Sequence, residues 1–200
     1  TDGFDASPVF AIGVGCLRYA EDEIERCIAE GIDQVLVLGA GFDTFALRRG
    51  NLTPGLRVFE IDHPDVQALK RQRIEASPRT PARLPDFVPI DFETMRLSEA
   101  LSHSAFDPGR PAVLTWMNTI PYLSEEATSS TLKELHALLA PGSRIVLNYT
   151  PSVALTEEQV AFLMKLAKVI EAAGEPGRSR WVPEDFENLL SEIGFSLVEH

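Results

Sequence analysis

Gln34-Val-Leu-Val-Leu-Gly-Ala-Gly-Phe-Asp43 is the stretch around which the sequence is organised. Val35 to Leu38 form a short unbroken apolar run, as a strand buried on both faces would. Gly39-Ala40-Gly41 then ends it, with glycines that let the chain turn tightly and let a ligand come close where a Cβ would block it. Thr44 to Arg49 reads as the start of a helix whose first N–H groups point into the same space. Strand, small-residue turn and helix together predict the opening of a nucleotide-binding α/β fold. A dinucleotide fingerprint would place a third glycine at residue 44, where this sequence has Thr44. Asp43 admits two roles: it can accept hydrogen bonds from a cationic amino-acid ligand, or it can cap the helix that follows.

The second strand narrows the ligand. Arg57-Val-Phe-Glu-Ile-Asp62 is again short and apolar, and it carries Glu60 about 20 residues beyond the turn, where an acid at the end of the second parallel strand holds ribose hydroxyls. One carboxylate near an amino group and one near a ribose fit S-adenosylmethionine. Here the sequence resembles the leucine carboxyl methyltransferase-like family of class I methyltransferases, in LGAGFDTFALR followed by VFEIDHPDVQALKR. The pattern recurs in Pro89 to Glu93, at Trp116, at Tyr122-Leu123 and in Gly174-Glu-Pro176, so the resemblance runs from about Arg18 to the C-terminus.

That resemblance implies a Rossmann-like, doubly wound α/β fold with a mostly parallel sheet, and a domain that binds S-adenosyl-L-methionine. The family includes bacterial O-methyltransferases, some in polyketide pathways. The donor site it implies comprises Gly39, Ala40, Gly41, Asp43, Glu60 and Ile61, with Asp91 and Phe92 at the end of the third strand. An arginine near the N-terminus pairs with the donor carboxylate in the family, and Arg18 is the candidate here. A surface pair between Arg18 and Asp22, four residues on, is the other reading. Asp91 and Phe92 suit the adenine amino group and ring face, or Asp91 caps the next helix. After the fourth-strand aromatic the family has Glu-Gly, and this sequence has Met117-Asn118, a departure that falls inside the site and puts turnover in question. His63 and Tyr122 are the candidate bases for an acceptor that must lose a proton, His63 alternatively capping a helix.

Composition bounds the rest. A chain of 200 residues reads as one domain. The formal charge of −12 disfavours nucleic acid and anionic membrane as partners, because neutralising phosphates needs clustered Lys and Arg. A small-molecule acceptor is expected instead. Cys16 and Cys27 have no metal-ligand spacing and read as reduced thiols of a cytoplasmic protein, with no metal expected. No signal segment or membrane span is legible. The family carries further sequence at both ends, so this chain reads as trimmed there.

In chain order, helices are expected over Arg18 to Glu30, His63-Pro64 to about Ala76, Asp91 to Ser102, Ser124 to Leu139, Leu155 to Ala173 and Pro183 to Ile193. Further strands are expected at Phe87–Ile90, Pro111–Trp116, Arg144–Tyr149 and Phe195–Glu199. A donor-binding protein without turnover and a nicotinamide-dependent oxidoreductase remain alternatives, Thr44 counting against the second.

Overall fold

The computed structural model describes residues 8–52, 54–79, 81, 83–153 and 177–199, with side chains from residue 13 on. Its centre is a five-stranded sheet, all parallel, in the order β3-β2-β1-β4-β5. The strands are β1 Gln34–Leu38, β2 Arg57–Asp62, β3 Asp86–Pro89, β4 Val113–Trp116 and β5 Arg144–Leu147. β1 is the middle strand, in register with β2 from Gln34↔Arg57 to Leu38↔Ile61 and with β4 from Val35↔Val113 to Leu38↔Trp116. All five residues of β1 are buried, which explains an unbroken aliphatic run in place of an alternating one.

Helices cover both faces, giving the expected doubly wound architecture. α1 (Pro8–Ala29) and α2 (Phe45–Arg49) bury Ile24, Cys27, Phe45 and Ala46 against Val35, Val37, Val58 and Val113. α3 (Pro64–Glu75) lies on the same side over β2 and contributes the buried Gln67 and Lys70. α4 (Leu97–Ser102), α5 (Glu125–Leu138) and α6 (Pro183–Ile193) cover the other face over Leu36, Leu38, Phe59, Ile61, Leu114 and Trp116. The starts of α3 and α5 follow from local chemistry. Pro64 stands in the first turn of α3, where its missing N–H costs nothing. Ser124 caps α5 by accepting from Ala127 N at 3.1 Å.

Several boundaries differ from expectation. α1 begins at Pro8, ten residues before Arg18, because the small-residue segment before it continues the helix. The residues after Asp91 form a turn, and α4 starts only at Leu97. Phe195–Glu199 is not a strand: β5 is the sheet's edge among the described residues, and a strand needs a neighbour for its backbone groups. Phe195 instead packs its ring against His136 at 5.3 Å, and Val198 is 95% exposed. The expected helix Leu155–Ala173 and the Gly174-Glu-Pro176 motif fall outside the described residues.

Candidate functional site

The chain leaves β1 toward β2 and β3 on one side, then crosses back to place β4 and β5 on the other. The carboxyl ends of β1 and β4 are therefore the point where the winding reverses, the place where open α/β sheets bind ligands. A crevice of about 390 Å³ opens there. Its floor is Val37, Leu38 and Thr115, and its far wall is Met117 and Asn118. α1 supplies Leu17, Ala20, Glu21 and Ile24, and the segment after β1 supplies Asp43, Thr44 and Arg48.

The two glycines of the turn serve different ends. Gly39, at φ +61°, donates to Ile61 O at 2.8 Å, and a Cβ built on it would lie 2.0 Å from Thr119 Oγ1. A side chain there would collide with that of Thr119, which follows β4. Gly41, at φ +45°, has open space where a Cβ would stand, so its backbone is accessible to a ligand. Its N–H donates to Asp62 Oδ2, while Asp62 Oδ1 accepts from His63 N at 2.6 Å. Ala40 donates to Ile61 O at 3.4 Å, and Ile61 itself holds the turn through its carbonyl with its side chain in the core.

Glu60 is not the strand-end acid. It is wholly buried and paired with Lys70 of α3, and it does not line the crevice. Lys70 satisfies one carboxylate oxygen and leaves Oε1 without a hydrogen-bond partner. Burial pushes the Glu60 carboxyl up to about 7, outweighing the pull of Lys70. β2 runs two residues further, and Asp62 is the acid that emerges at its carboxyl end. The signal was present in Asp62-His-Pro64, since a proline at the first turn of α3 fixes where the strand must stop.

Arg18 is also placed away from the crevice. It is exposed and doubly bonded to Asp22, with Nε to Oδ2 at 3.2 Å. Leu17, Ala20, Glu21 and Ile24 line the crevice at the 3, 4 and 7 spacing of one helix face, so residue 18 points about 100° away from it. The basic residue that does line the crevice is Arg48, the last residue of the LGAGFDTFALR stretch, to which the sequence alone assigned no role. Asp43 lies in the crevice wall and accepts from Phe45 N at 2.7 Å, a turn bond just ahead of α2; the cap position of that helix is Thr44, so Asp43 is not its cap. Burial raises its carboxyl above the usual range, while the Phe45 N–H and the Lys70 charge oppose the shift.

Asp91 closes its own turn, accepting from Glu93 N at 3.0 Å and from Thr94 Oγ1 at 2.9 Å. Phe92 is half-buried with its ring 5.9 Å from that of Trp116. Both stand at the end of β3, outside the residues that line the crevice. His63 is the cap of α3, accepting through Nδ1 from Asp65 N at 3.3 Å, and it is exposed. Tyr122 ends a 3-10 turn, Ile120–Tyr122, and is half-buried. Neither lines the crevice. Met117 does, and Asn118 after it has φ +58°. That left-handed backbone is the conformation for which glycine is suited, in keeping with the Gly that the resemblance implies at this position. The amides of Asn118 and Asn148 bond each other, Asn148 Nδ2 donating to Asn118 Oδ1 at 2.8 Å. Among the described residues no cluster of three or more His, Cys, Asp or Glu is placed to hold a metal ion, and no helix is long and apolar enough to cross a membrane.

A parallel sheet of this order, with a glycine turn and a strand-end acid at its point of reversal, defines a Rossmann-like domain of the class I methyltransferase type. Solved structures agree on the fold. A provisionally named methyltransferase from Thermobifida fusca YX superposes with a TM-score of 0.60 at 25% identity, over 84% of this chain and 61% of that one. Magnesium protoporphyrin IX methyltransferase from Synechocystis PCC 6803, solved with bound SAH, gives 0.58 over the whole of this chain and 82% of its own, though at 17% identity it speaks for the fold alone. The chain belongs to the leucine carboxyl methyltransferase family, whose model matches residues 9–136. Among its relatives is Bacillus subtilis YktD, provisionally named an S-adenosyl-L-methionine-dependent methyltransferase, 30% identical over 91% of this chain. The chain spans 60% of the length of YktD.

Proposed function

We propose that this domain binds S-adenosyl-L-methionine and transfers its methyl group to an oxygen of a small molecule, a carboxylate in preference to a hydroxyl. The observation that carries the reading is the Gly39-Ala40-Gly41 turn, fastened to Asp62 at the point of reversal between β1 and β4. Open space at Gly41 admits the ligand, and Asp62, which ends β2 and bonds the Gly41 N–H although it does not itself line the crevice, is assigned to the ribose hydroxyls. Asp43 and Glu21 face the crevice as acids, against Arg48 as the one base lining it among the described residues, a net charge of about −1. The donor carries an ammonium, a sulfonium and one carboxylate, net about +1, so the charges complement each other. Asp91 and Phe92 are assigned to the adenine and Met117 to the wall beside the amino-acid end.

The donor supplies a methyl group activated on sulfur. The protein's part is to hold an acceptor oxygen in line with it and to keep water out, which is where a reaction of this kind gains most of its rate. The carboxylate is preferred because it is nucleophilic without losing a proton, and neither His63 nor Tyr122 lines the crevice to take one. A donor-binding protein without turnover is the second reading, favoured by the apolar Met117 at the crevice wall. The acidic charge supports a small acceptor over a nucleic acid.

Calorimetry with S-adenosylmethionine, S-adenosylhomocysteine and NADP, together with mass spectrometry of co-purified nucleotide, tests the reading. Binding of the two adenosyl ligands without NADP is the expected result. Preferential binding of NADP overturns it.

A further inference from the structure

We infer that the side-chain amide of Asn118 binds a carboxylate of the methyl acceptor, holding one oxygen and leaving the other to attack the donor's methyl carbon. The inference rests on the donor reading above. Asn118 follows β4, is exposed, and lines the crevice in its far wall. Its amide is fixed by Asn148, and the bonding pattern allows one orientation for each side chain. Asn148 Oδ1 accepts from Asn118 N at 2.6 Å, and within an amide only the oxygen accepts. The other end of Asn148 is therefore the NH2 group. It donates to Asn118 at 2.8 Å, so the atom it meets there is Oδ1. Asn118 Nδ2 is left with two N–H donors and no acceptor among the described residues.

The backbone at this position is suited to glycine, and asparagine is one of the few other residues that adopt φ +58° readily. The glycine that the resemblance implies here would have no amide to present. The charged groups of the crevice, Glu21, Asp43 and Arg48, belong to α1 and the segment from β1 through α2. The far wall offers Met117 and this neutral amide. A neutral donor suits an oxygen that must stay nucleophilic, since it orients the carboxylate with less draw on its charge than a cation would exert. The free oxygen forms the new O–C bond, the bond from the methyl carbon to sulfur breaks, and its electron pair returns to sulfur. No proton moves. The donor's own α-carboxylate is a second source of the same chemistry, and the test separates the two.

The test follows the Asn118 side-chain amide and the Met117 methyl group by NMR in protein saturated with S-adenosylhomocysteine. Acetate, the smallest carboxylate probe, is added at constant ionic strength. The amide signal is assigned by its absence in Asn118→Gly, a substitution that the left-handed backbone accepts. The expected result is a saturable downfield shift of the amide protons. The acetate dissociation constant read at Met117 should rise about tenfold or more in Asn118→Gly, the loss of a hydrogen bond to a charged group. Asn118→Asp keeps an oxygen for Asn148 Nδ2 and should lose acetate at least as fully, because its carboxylate repels the probe. A downfield shift on adding S-adenosylhomocysteine, with no further response to acetate, overturns the assignment and gives the amide to the donor's carboxylate. No response to either ligand at Asn118, or equal acetate affinity in Asn118→Gly, overturns it as well. Failure of the wild-type protein to bind S-adenosylhomocysteine at all overturns the donor reading itself, and the inference with it.

Discussion

On the face of the sheet under α4, α5 and α6, the buried strand side chains are all apolar, from Leu36 and Leu38 through Phe59 and Ile61 to Leu114 and Trp116. On the opposite face Glu60 and Thr115 alternate with valines, and α3 sends the buried Gln67 and Lys70 down onto them. The crevice opens on this second, mixed face. The first face holds the fold together by volume and area. The second gives up some of that apolar contact to hold a buried ion pair between β2 and α3, and charges so buried leave a mark on the pH dependence of stability.

The largest expected effect lies on the apolar face. Trp116→Ala removes a fully buried indole and should cost about 3–5 kcal/mol by urea denaturation, with the same loss at every pH. A loss that varied with pH would erase the distinction between the faces.

On the mixed face the expected signature is a slope. The Glu60 carboxyl is raised from its ordinary 4.5 to about 7, so between these values the folded state holds more protons than the unfolded. Stability from this group is fully present below pH 4.5 and is lost as pH rises through 7, about 3 kcal/mol in all. The double variant Glu60→Leu/Lys70→Met should fold and lack that contribution to the slope, since replacing a buried ion pair with apolar groups is often neutral or stabilising. An unchanged slope in the double variant would move its origin elsewhere.

A smaller effect separates the two acids of β2. Asp62→Asn should weaken S-adenosylmethionine by about 1.5–3 kcal/mol in calorimetry, the scale of a charged hydrogen bond. The Glu60→Leu/Lys70→Met variant should leave that affinity nearly unchanged. The reverse pattern would return the ribose role to Glu60. Smallest of all, Arg18→Ala should alter stability by no more than about 0.5 kcal/mol, because its partner Asp22 is exposed and screened.

The apolar face was legible in the sequence. The run at Val35–Leu38 and the nearly apolar Val58–Ile61, broken only by Glu60, with glycine and proline at their ends, marked the sheet and the turn after β1, because buried parallel strands leave an almost unbroken apolar record. The mixed face was less so. Glu60 and Asp62 share a side of β2, and spacing from the glycines cannot separate an acid under a helix from one at an open strand end. Arg18 and Arg48 were ambiguous for a related reason: a charged residue on a helix reports its face only when its neighbours' faces are known. On α1 that face is marked by Leu17, Ala20 and Ile24, whose 3 and 7 spacing puts them on one side of the helix and residue 18 on another. The terminal segment Phe195–Glu199 has strand composition but pairs with no strand among the described residues, which composition does not reveal.

The bond between Asp62 and the Gly41 N–H has a consequence for the rate at which a ligand is captured. The turn is fastened by the protein's own carboxylate, so its glycines need not become ordered when the ligand arrives, and that entropic cost does not slow the approach. Association followed by stopped-flow should then be a single exponential whose rate rises in proportion to ligand concentration. Asp62→Asn, with a looser turn, should show a second, slower phase that saturates.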